Sequence, residues 1–350
     1  MKQNKLNVAV IGASKMARRH LDGLLRIEKA HIYAICDPAR DARLDKCIEA
    51  YKPDRAVKDY KELLGDPKID VVIVVTPDQV HKEITEAFLN DGKHVLCEKP
   101  MALSVEECVS MIETEKKSGK RLMIGQVSRY TANFAKTKEL IDTGEIGELF
   151  YIETEYAHSY LHNPGYGNWR DTPERDGFIG GGCHAVDFAR WIAGDPIEVY
   201  ALANHKCLTE WPANDATVAL YKFPNNVMGR VFASVGCVRP YTMRSVFYGN
   251  KGTIICDNRS EFITLYNTKQ GRDKWEAQDG GERIPVPRSD HNTYGECTDF
   301  INAILDGTDT PIKSEDGAKT VIACLAAVQS ARENKPIIID YPEIIKAKDE

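Results

Sequence analysis

The first third of the chain alternates short β-rich runs with segments of helical periodicity, and this pattern restricts the fold more than any other feature. The β-rich runs cover residues 6–12, 31–36, 69–76, 93–98 and 121–125, and the helical segments lie at about 16–29, 41–50, 79–91 and 104–118. The runs are apolar on both faces, which is typical of a parallel sheet covered by helices on both sides. The sequence therefore predicts an N-terminal α/β domain with a doubly wound parallel sheet.

The pattern changes from residue 146 onward. Strand-like stretches now follow one another with few helices between them, in runs such as EVYALANHKC, NDATVALYKF and NVMGRVFASVGC. This order favours a C-terminal α+β domain with a large, mostly antiparallel open sheet. We therefore expect two domains, residues 1–125 and 126–350. The region 158–177, rich in Gly, Pro, Asn and aromatic residues, is predicted to be a loop.

Composition excludes several classes of function. With 350 residues, 43% of them hydrophobic, the chain is long enough to bury a large core in two domains. Basic residues number 46 and acidic residues 52, and neither charge forms blocks, so we expect no nucleic-acid or membrane partner. No apolar run is long enough for a signal peptide or a membrane span, which favours a cytoplasmic protein.

Cysteine and histidine spacing gives no sign of a metal. Ten cysteines are scattered singly without a C-x-x-C pair, so neither a zinc site nor a disulfide framework is predicted. The histidines at 158, 162 and 291 lie in predicted loops, and their separations give no local ligand frame. The sequence therefore predicts no metal site.

The turn after the first strand resembles a dinucleotide-binding turn, with one departure. The fingerprint G-x-G-x-x-G/A is matched here by Gly12-Ala13-Ser14-Lys15-Met16-Ala17, in which Ser14 replaces the middle glycine. A strand-to-helix turn with one glycine is common, so the motif alone does not establish a dinucleotide-binding site. Asp37 closes the second strand, where an acidic residue would bind the ribose 2′-hydroxyl of NAD; a turn former before Pro38 is the alternative.

A longer series of residues carries a resemblance to a known family. In order along the chain, Gly12, Asp37, Thr76-Pro77, His81 and Glu98-Lys99-Pro100 resemble the Gfo/Idh/MocA oxidoreductases, which are NAD(P)-dependent sugar, cyclitol and dihydrodiol dehydrogenases. The resemblance covers nearly the whole chain, and TPDQVHKEITEAFLNDGKHVLCEKPMAL is its most specific segment. It implies an N-terminal Rossmann domain and NAD bound by Gly12, Ala13, Ser14, Lys15, Met16, Asp37, Thr76, Pro77, His81, Glu98 and Lys99.

Lys99 is the candidate catalytic residue. It follows a buried parallel strand, and the carboxyl ends of such strands border the ligand crevice of an open α/β sheet. Its ammonium group can hydrogen-bond a substrate hydroxyl and exchange a proton as hydride leaves. The resemblance implies a cis bond before Pro100 and a hydrogen bond from Glu98 to the cofactor ribose. A solvated Glu-Lys pair is the alternative reading of the isolated motif.

The segment FIGGGCHAVDFARW, residues 178–191, gives a second group of candidates. It places His184 and Asp187 one helical turn apart on one face. The resemblance implies that the histidine points at substrate and that an aspartate stands four residues earlier, but this sequence has Gly180 there. Asp187 is the candidate replacement, either orienting His184 or contacting substrate. A helix-terminal charge favoured by the dipole explains Asp187 equally well.

Four further residues are candidate substrate contacts. Arg129 and Tyr130 follow the last parallel strand, where the family often lines its cleft, although a salt bridge at the domain seam would explain them too. Trp169 and Arg170 lie in the Gly-rich loop and resemble a W-R pair of the family.

Together these residues predict an oxidoreductase. We expect hydride transfer between a secondary alcohol of a sugar, cyclitol or related polyol and NAD(P), with Lys99 and His184, from opposite domains, handling the proton. Asp37 favours NAD over NADP, whereas Arg40 could neutralise it and admit the extra phosphate. The alternatives are a non-catalytic dinucleotide-binding sensor and an NAD-recycling sugar lyase or glycosidase.

The second sheet also predicts self-association. An open sheet with helices on one face leaves the other face in need of a partner. In the strands from 197 to 266, runs such as TVALYKF alternate apolar and polar residues. We therefore expect a homodimer or homotetramer, the alternative being that the exposed face is simply polar.

Overall fold

A computed structural model describes residues 5–38, 42–162, 165, 168–268, 280–289 and 291–346. The chain forms two compact units. The first comprises Met1–Val127, Asn292–Ala318 and Pro342–Glu350, and the second comprises Ser128–His291 and Lys319–Tyr341. The division at Val127 lies two residues beyond the boundary expected from the sequence. The segments Asn292–Ala318 and Pro342–Glu350 belong to the first unit, whereas the sequence predicted them in the second domain.

The first unit is built on a six-stranded parallel sheet with the order β3-β2-β1-β4-β5-β6. Its strands are β1 (Leu6–Ile11), β2 (Ala30–Cys36), β3 (Arg55–Val57), β4 (Val71–Val74), β5 (His94–Glu98) and β6 (Leu122–Gly125). Every residue of β4 and β6 is buried, as the apolar runs predicted. Five of the six strands were predicted, and the three-residue β3 was not.

Four helices connect these strands: α1 (Lys15–Leu24), α2 (Ala42–Tyr51), α3 (His81–Asn90) and α4 (Val105–Ser118). Ser14 caps α1 by accepting a hydrogen bond from the N–H of Ala17, and Ser104 caps α4 in the same way from Glu107. Helix α1 ends at Leu24 rather than near residue 29. The N–H groups of Arg26 and Ile27 bond to carbonyls three residues back, so the chain tightens into a turn there.

The second unit contains α5 (Ala132–Asp142), α6 (Gly177–Gly180), α7 (Cys183–Ala193) and a nine-stranded sheet with the order β14-β13-β12-β11-β7-β10-β9-β8-β15. Its strands are β7 (Leu149–Ala157), β8 (Glu198–Asn204), β9 (Ala216–Lys222), β10 (Met228–Ser234), β11 (Thr242–Gly249), β12 (Gly252–Asp257), β13 (Phe262–Asn267), β14 (Glu282–Pro285) and β15 (Ile337–Ile338). All pairs are antiparallel except β7 with β10. The predicted fold class, a doubly wound parallel sheet plus a mostly antiparallel sheet, is confirmed.

The last helices complete both units. Helix α8 (Thr293–Asp306) packs on α1, where a Cβ on Gly23 would lie 3.2 Å from the backbone of Tyr294. Helix α9 (Ser314–Glu333) is followed by strand β15, which pairs with β8. In the described part of the chain, no helix combines the length and apolarity needed to cross a membrane.

Candidate active site

The parallel sheet places its ligand crevice where the strand order reverses, between β1 and β4. Gly12 follows β1 with a φ of 116°, a conformation that favours glycine. A Cβ at this position would overlap the carbonyl oxygen of Val75, which follows β4. The turn after β1 therefore lies directly against the loop after β4, and a larger residue than glycine would push the two apart.

Asp37 is anchored to the same turn. Its Oδ2 accepts a hydrogen bond of 2.8 Å from the N–H of Ala13, and its Oδ1 accepts one of 3.4 Å from Arg43. Ser14 begins α1 as its cap, and Lys15 and Met16 form the first turn of that helix. Arg40, considered as a partner for Asp37, lies outside the described residues. The structure thus brings together a glycine turn, main-chain N–H groups and a buried carboxylate, which suits a dinucleotide.

Two unpartnered polar atoms support the same fit. The hydroxyl of Thr76, after β4, and the amide oxygen of Gln126, after β6, are buried without a hydrogen-bond partner among the described residues. Buried polar groups in native proteins are nearly always paired. Both atoms lie at the carboxyl end of the parallel sheet, where a nicotinamide cofactor would supply hydroxyl and amide partners.

Lys99 lies at the same edge of the sheet, after β5, and the Lys99–Pro100 peptide bond is cis, as the resemblance implied. The ring of His81 fixes this segment, because Nδ1 lies 2.9 Å from the carbonyl oxygen of Pro100 and Nε2 lies 3.1 Å from that of Thr76. Both ring nitrogens must carry a proton to donate to two carbonyls. Burial alone would lower the pKa of His81, but Cys97, Asp78 and the Pro100 carbonyl together raise it. His81 therefore positions main chain around the site, and Pro77 directly precedes the 3₁₀ turn Asp78–Val80.

A buried cluster missed by the sequence analysis surrounds Glu98. Its Oε1 lies 2.8 Å from Nε2 of His20, and the carboxyl oxygens of Glu296, which is fully buried, have no hydrogen-bond partner among the described residues. Burial, reinforced by the nearby Glu98, raises the pKa of Glu296 well above its usual range. The ligand atoms of His20, Glu98 and Glu296 lie within 4.8 Å of one another, so these residues can hold a metal ion. The expectation of no metal site stays a prediction.

In the second unit, His184 lies in the first turn of α7 and is 3% exposed. The ring of Tyr156 stacks on it with a centroid distance of 5.9 Å and an interplanar angle of 17°. His291 meets His184 edge-on at 5.7 Å, and His158 lies in the same aromatic cluster, 6.5 Å from Tyr156. Residues that looked scattered in the sequence are thus gathered around the predicted substrate-contacting histidine.

Asp187 is held by other partners than His184. Its carboxylate accepts two hydrogen bonds from Arg129, of 2.9 and 2.7 Å, and one of 3.2 Å from Thr320. Arg190 lies 3.8 Å away, and no bond to His184 exists among the described residues. This geometry gives Asp187 and Arg129 a structural role within the second unit. Tyr130 ends the 3₁₀ turn Val127–Tyr130 next to this pair.

The Gly-rich loop brings two guanidinium groups onto one indole ring. The Cζ atom of Arg170 lies 4.1 Å from the ring centroid of Trp169, and that of Arg175 lies 4.7 Å from it. Trp169 and Arg170 were predicted substrate contacts, whereas Arg175 was not singled out. Periodicity could have suggested Tyr156, which shares the buried face of β7 with Ile152 and Thr154. No local pattern marks Arg175.

The glycine turn, the acidic residue bound to it and the parallel sheet define a dinucleotide-binding domain, joined here to an α+β unit. Residues 6–126 match the model of the oxidoreductase family with an NAD-binding Rossmann fold, and residues 134–255 match the GFO/IDH/MocA C-terminal domain. The chain therefore belongs to the Gfo/Idh/MocA family of NAD-binding oxidoreductases.

Individual relatives span almost the whole chain. Myo-inositol 2-dehydrogenase of Thermotoga maritima is 28% identical, with 96% of this chain and 99% of the relative covered. The NAD⁺-dependent scyllo-inositol 2-dehydrogenase of Bacillus subtilis is 24% identical, with 97% of each covered. A structure of levoglucosan dehydrogenase with NADH has a TM-score of 0.87, covers 97% of this chain and 100% of its own, and is 21% identical. At that identity the structural likeness shows the fold alone.

Replacement of Glu296 by glutamine should change how stability depends on pH. An unfolded carboxyl group ionises near pH 4.5, but the folded one keeps its proton to a much higher pH. The wild type should therefore lose stability as pH rises from about 5 to 8, by up to about 1.4 kcal/mol per pH unit. Glu296→Gln has no carboxyl group at this position, so it lacks this pH-dependent loss of stability. Its melting temperature relative to wild type should rise across that range, whereas the control Asp299→Asn, an exposed residue of α8, should show no such trend. A constant difference would contradict the raised pKa.

Replacement of Asp37 by asparagine should weaken the preference for NAD. Asparagine keeps an oxygen that can accept from the N–H of Ala13 but removes the charge that would repel the 2′-phosphate of NADP. The ratio of NADP to NAD affinity, measured by fluorescence titration, should rise roughly tenfold or more. The exposed α2 variant Asp45→Asn serves as the control. An unchanged ratio in Asp37→Asn would show that Asp37 does not select the cofactor.

Proposed function

We propose that this protein is an NAD-dependent dehydrogenase that oxidises a secondary alcohol of a sugar or cyclitol. The observation that carries this proposal is the position of Lys99, at the carboxyl end of β5 in a dinucleotide-binding sheet and next to Pro100, whose carbonyl is bound by the His81 ring. The names of the relatives, which are inositol 2-dehydrogenases over nearly their full length, support the substrate class.

The proposed chemistry is a coupled loss of hydride and proton. When bound, NAD accepts the hydride from the carbinol carbon. The hydroxyl proton leaves in the same step, so that the alcohol becomes a ketone and the proton passes to a protein group. We assign that group to Lys99, which follows the strand that ends at Glu98.

His184 is assigned to the same hydroxyl. Its ring is held face-on by Tyr156 and edge-on by His291, which restricts its rotation. A fixed imidazole can orient the reacting hydroxyl and help its proton leave. Burial, and then the neighbouring Tyr160, raise the pKa of Tyr156 well above its usual range, so this phenol stays neutral at physiological pH.

The remaining residues bind the cofactor. Gly12, Ala13 and the capped start of α1 are assigned to the pyrophosphate, and Asp37 to the adenosine ribose. Glu98, fixed by His20, is assigned to the ribose next to the nicotinamide, and the Thr76 hydroxyl to a cofactor polar group. Arg129 and Asp187 support the second unit from within.

Loss of Lys99 should affect turnover and spare cofactor binding. Lys99→Ala should lower kcat by roughly 10²- to 10⁴-fold, the usual effect of removing a general acid or base, while the NAD dissociation constant changes little. His184→Ala should lower kcat and raise KM together, because it removes both orientation and proton handling. Steady-state formation of NADH with a panel of sugars and inositols measures both effects.

Lys82→Ala, which removes an ammonium group from the surface of α3, is the matched control and should retain wild-type kinetics. Full activity of Lys99→Ala would refute the catalytic assignment. Wild-type protein that binds NAD but forms no NADH with any alcohol of the panel would favour the non-catalytic sensor instead.

We also propose that the second unit associates with another copy through the open face of its nine-stranded sheet. The open face is formed by outward-pointing residues of β8 to β12, among them Leu202, Val218, Leu220, Val246 and Ile255. Leu202 lies opposite Val218 and Val246 lies opposite Ile255, so the apolar side chains adjoin across strands. Leu202 and Leu220 are each 54% exposed, which is unfavourable for large aliphatic side chains without a partner.

A charge on the open face should dissociate the oligomer. Leu220→Asp would require a buried carboxylate at the interface, so the molar mass from light scattering at micromolar concentration should fall toward that of one chain. Leu25→Asp is the control, because Leu25 is 61% exposed at the end of α1 in the other unit. A monomeric wild type would refute the proposal.

A further inference from the structure

Two of the ten cysteines differ from the rest in exposure. Eight are buried, whereas Cys207 is exposed and Cys237 is half-buried, and both of these are free thiols. A buried thiol packs as a small apolar group and is inert, whereas an accessible thiol can react. The accessible thiols of the chain are therefore these two, which lie on different loops of the second unit.

Both cysteines follow strands that leave the nine-stranded sheet at the same end. Strands β8, β9 and β10 are neighbours, and Asn204, Ala216 and Ser234 form one row across them. Cys207 comes three residues after Asn204, and Cys237 comes three residues after Ser234. The two thiols therefore belong to segments that emerge side by side, on either side of β9.

Asp215 and Gly236 bring these two segments into contact. The main-chain N–H groups of Cys207 and Leu208 donate to Oδ2 of Asp215, at 2.6 and 2.7 Å, so the loop after β8 folds back over the start of β9. A Cβ built on Gly236 would lie 2.5 Å from Cβ of Cys207, closer than real Cβ atoms come. The absence of a side chain at Gly236 thus lets Cys207 pack directly against the residue before Cys237.

The Cys237 side chain needs only a local movement to meet Cys207. Its thiol is turned toward the carbonyl oxygen of Ser234, 3.9 Å away, which is a weak contact for a thiol donor. Val238, the next residue, is fully exposed, so the segment has room to turn. Adjacent Cα atoms are about 3.8 Å apart, and Cys207 already touches the residue adjacent to Cys237. A small turn of this exposed segment therefore brings the two sulfur atoms together.

We propose that Cys207 and Cys237 form a reversible disulfide when the protein meets a disulfide oxidant such as oxidised glutathione. The Cys207 thiolate attacks the oxidant and releases one glutathione, and the Cys237 thiolate then attacks the Cys207 sulfur and releases the second. The two cysteines thus lose two electrons and two protons, which convert one glutathione disulfide into two glutathione thiols. A single accessible pair suits a redox-responsive link rather than a framework of structural disulfides.

Asp215 favours the linked state but slows its formation. Desolvation, followed by Asp215 and Cys237, raises the pKa of the Cys207 thiol. Because the thiolate is disfavoured beside a carboxylate, ionisation does not stabilise the reduced pair, and the disulfide resists reduction. The thiolate is also the attacking species, so the first step should be slow at neutral pH and faster at alkaline pH.

The linked segments border one wall of the candidate site. The ring of Trp211, in the loop after β8, lies 6.4 Å from that of Tyr160, and the N–H of Tyr160 donates to the carbonyl of Val235, after β10. The Tyr160 hydroxyl shares a hydrogen bond with that of Tyr156, whose ring stacks on His184. A disulfide between the two segments would therefore restrain the surroundings of Tyr160.

Peptide mapping tests the link without any substrate. The protein is equilibrated with a glutathione redox buffer at about pH 8.5, near the ordinary pKa of a cysteine thiol, then alkylated and digested with trypsin without reduction. Mass spectrometry should find the peptide 207–222 joined to the peptide 231–244, each of which contains a single cysteine. Dithiothreitol should release the two peptides.

Cys207→Ser and Cys237→Ser should each abolish the joined peptides and leave the remaining cysteine carrying one glutathione. Cys256→Ala, which removes a buried thiol of β12 in the same unit, is the matched control and should retain the link. Closing the loop between Cys207 and Cys237 restricts the unfolded chain, so oxidation should raise the melting temperature of the wild type by roughly 5 °C. Neither serine variant should show this rise.

Glutathione on Cys207 or Cys237 without joined peptides would overturn the proposal. So would two joined copies of peptide 207–222, because they would place the bond between two chains. A melting temperature that falls on oxidation would overturn it as well, since the bond would then force the loops out of the arrangement seen here. None of these measurements needs an alcohol or NAD, so their outcome is independent of the dehydrogenase proposal.

Discussion

The imidazole of His81 joins two loops at the carboxyl edge of the parallel sheet, and the position of Lys99 depends on it. One ring nitrogen contacts the carbonyl of Thr76, after β4, and the other that of Pro100, after β5. The carbonyl of the preceding Val75 is also the atom against which Gly12 packs. A single buried ring therefore connects the nucleotide turn to the lysine. Cys97, then Asp78 and the Pro100 carbonyl, raise the pKa of this ring against the effect of burial, so a protonated imidazole is stabilised in the core.

The buried cluster of His20, Glu98 and Glu296 limits how much negative charge is held next to Lys99 in the chain. Glu98 and Glu296 approach within 4.8 Å, and two carboxylates this close in a buried place do not both ionise readily. Glu98 is hydrogen-bonded to His20 and, through Oε2, to the N–H of Lys99, so it is the better place for the charge. Glu296, with no such partner, keeps the proton. The direction of the Glu98 carboxylate beside Lys99 is therefore fixed by β5 and by His20 of α1.

The sequence predicted the parallel sheet well because its strands are buried on both faces and stand out as apolar runs. The central strand of the other sheet, β7, escaped detection. Its outward residues Glu153 and Glu155 make it look polar, yet they are neutralised by Arg230, Arg239 and Arg244 from the neighbouring segments. Such pairing depends on strand order, and β7 meets β10 in parallel after a long connection. A local pattern cannot show which arginines will lie opposite a given glutamate.

In the candidate site, too, local sequence patterns predict some residues and give no sign of contacts between distant ones. Gly12, Asp37 and Lys99 were found because each stands at the end of a strand, in a short motif with a physical reason for its position. His20 and Glu98 are 78 residues apart and meet across the fold. Asp187 was predicted either to orient His184, to contact substrate or to be a helix-terminal charge, and its helix position gives no sign of its bond to Arg129, which is 58 residues away. The motifs therefore predicted Glu98 and Asp187 but not the distant side chains that bind them, His20 and Thr320.

The two units fix their candidate site residues in different ways. In the first unit, the residues assigned to the cofactor lie on strand ends and helix caps, where the backbone itself fixes their geometry. In the second unit, His184 rests on aromatic rings, and the residue beside it is set by a loop that contributes Trp169, Arg170 and Arg175. A change in this loop would therefore alter the side chains beside His184 without disturbing the sheet beneath. The residues assigned to the cofactor are constrained by the backbone, whereas those beside His184 are set by the packing of side chains.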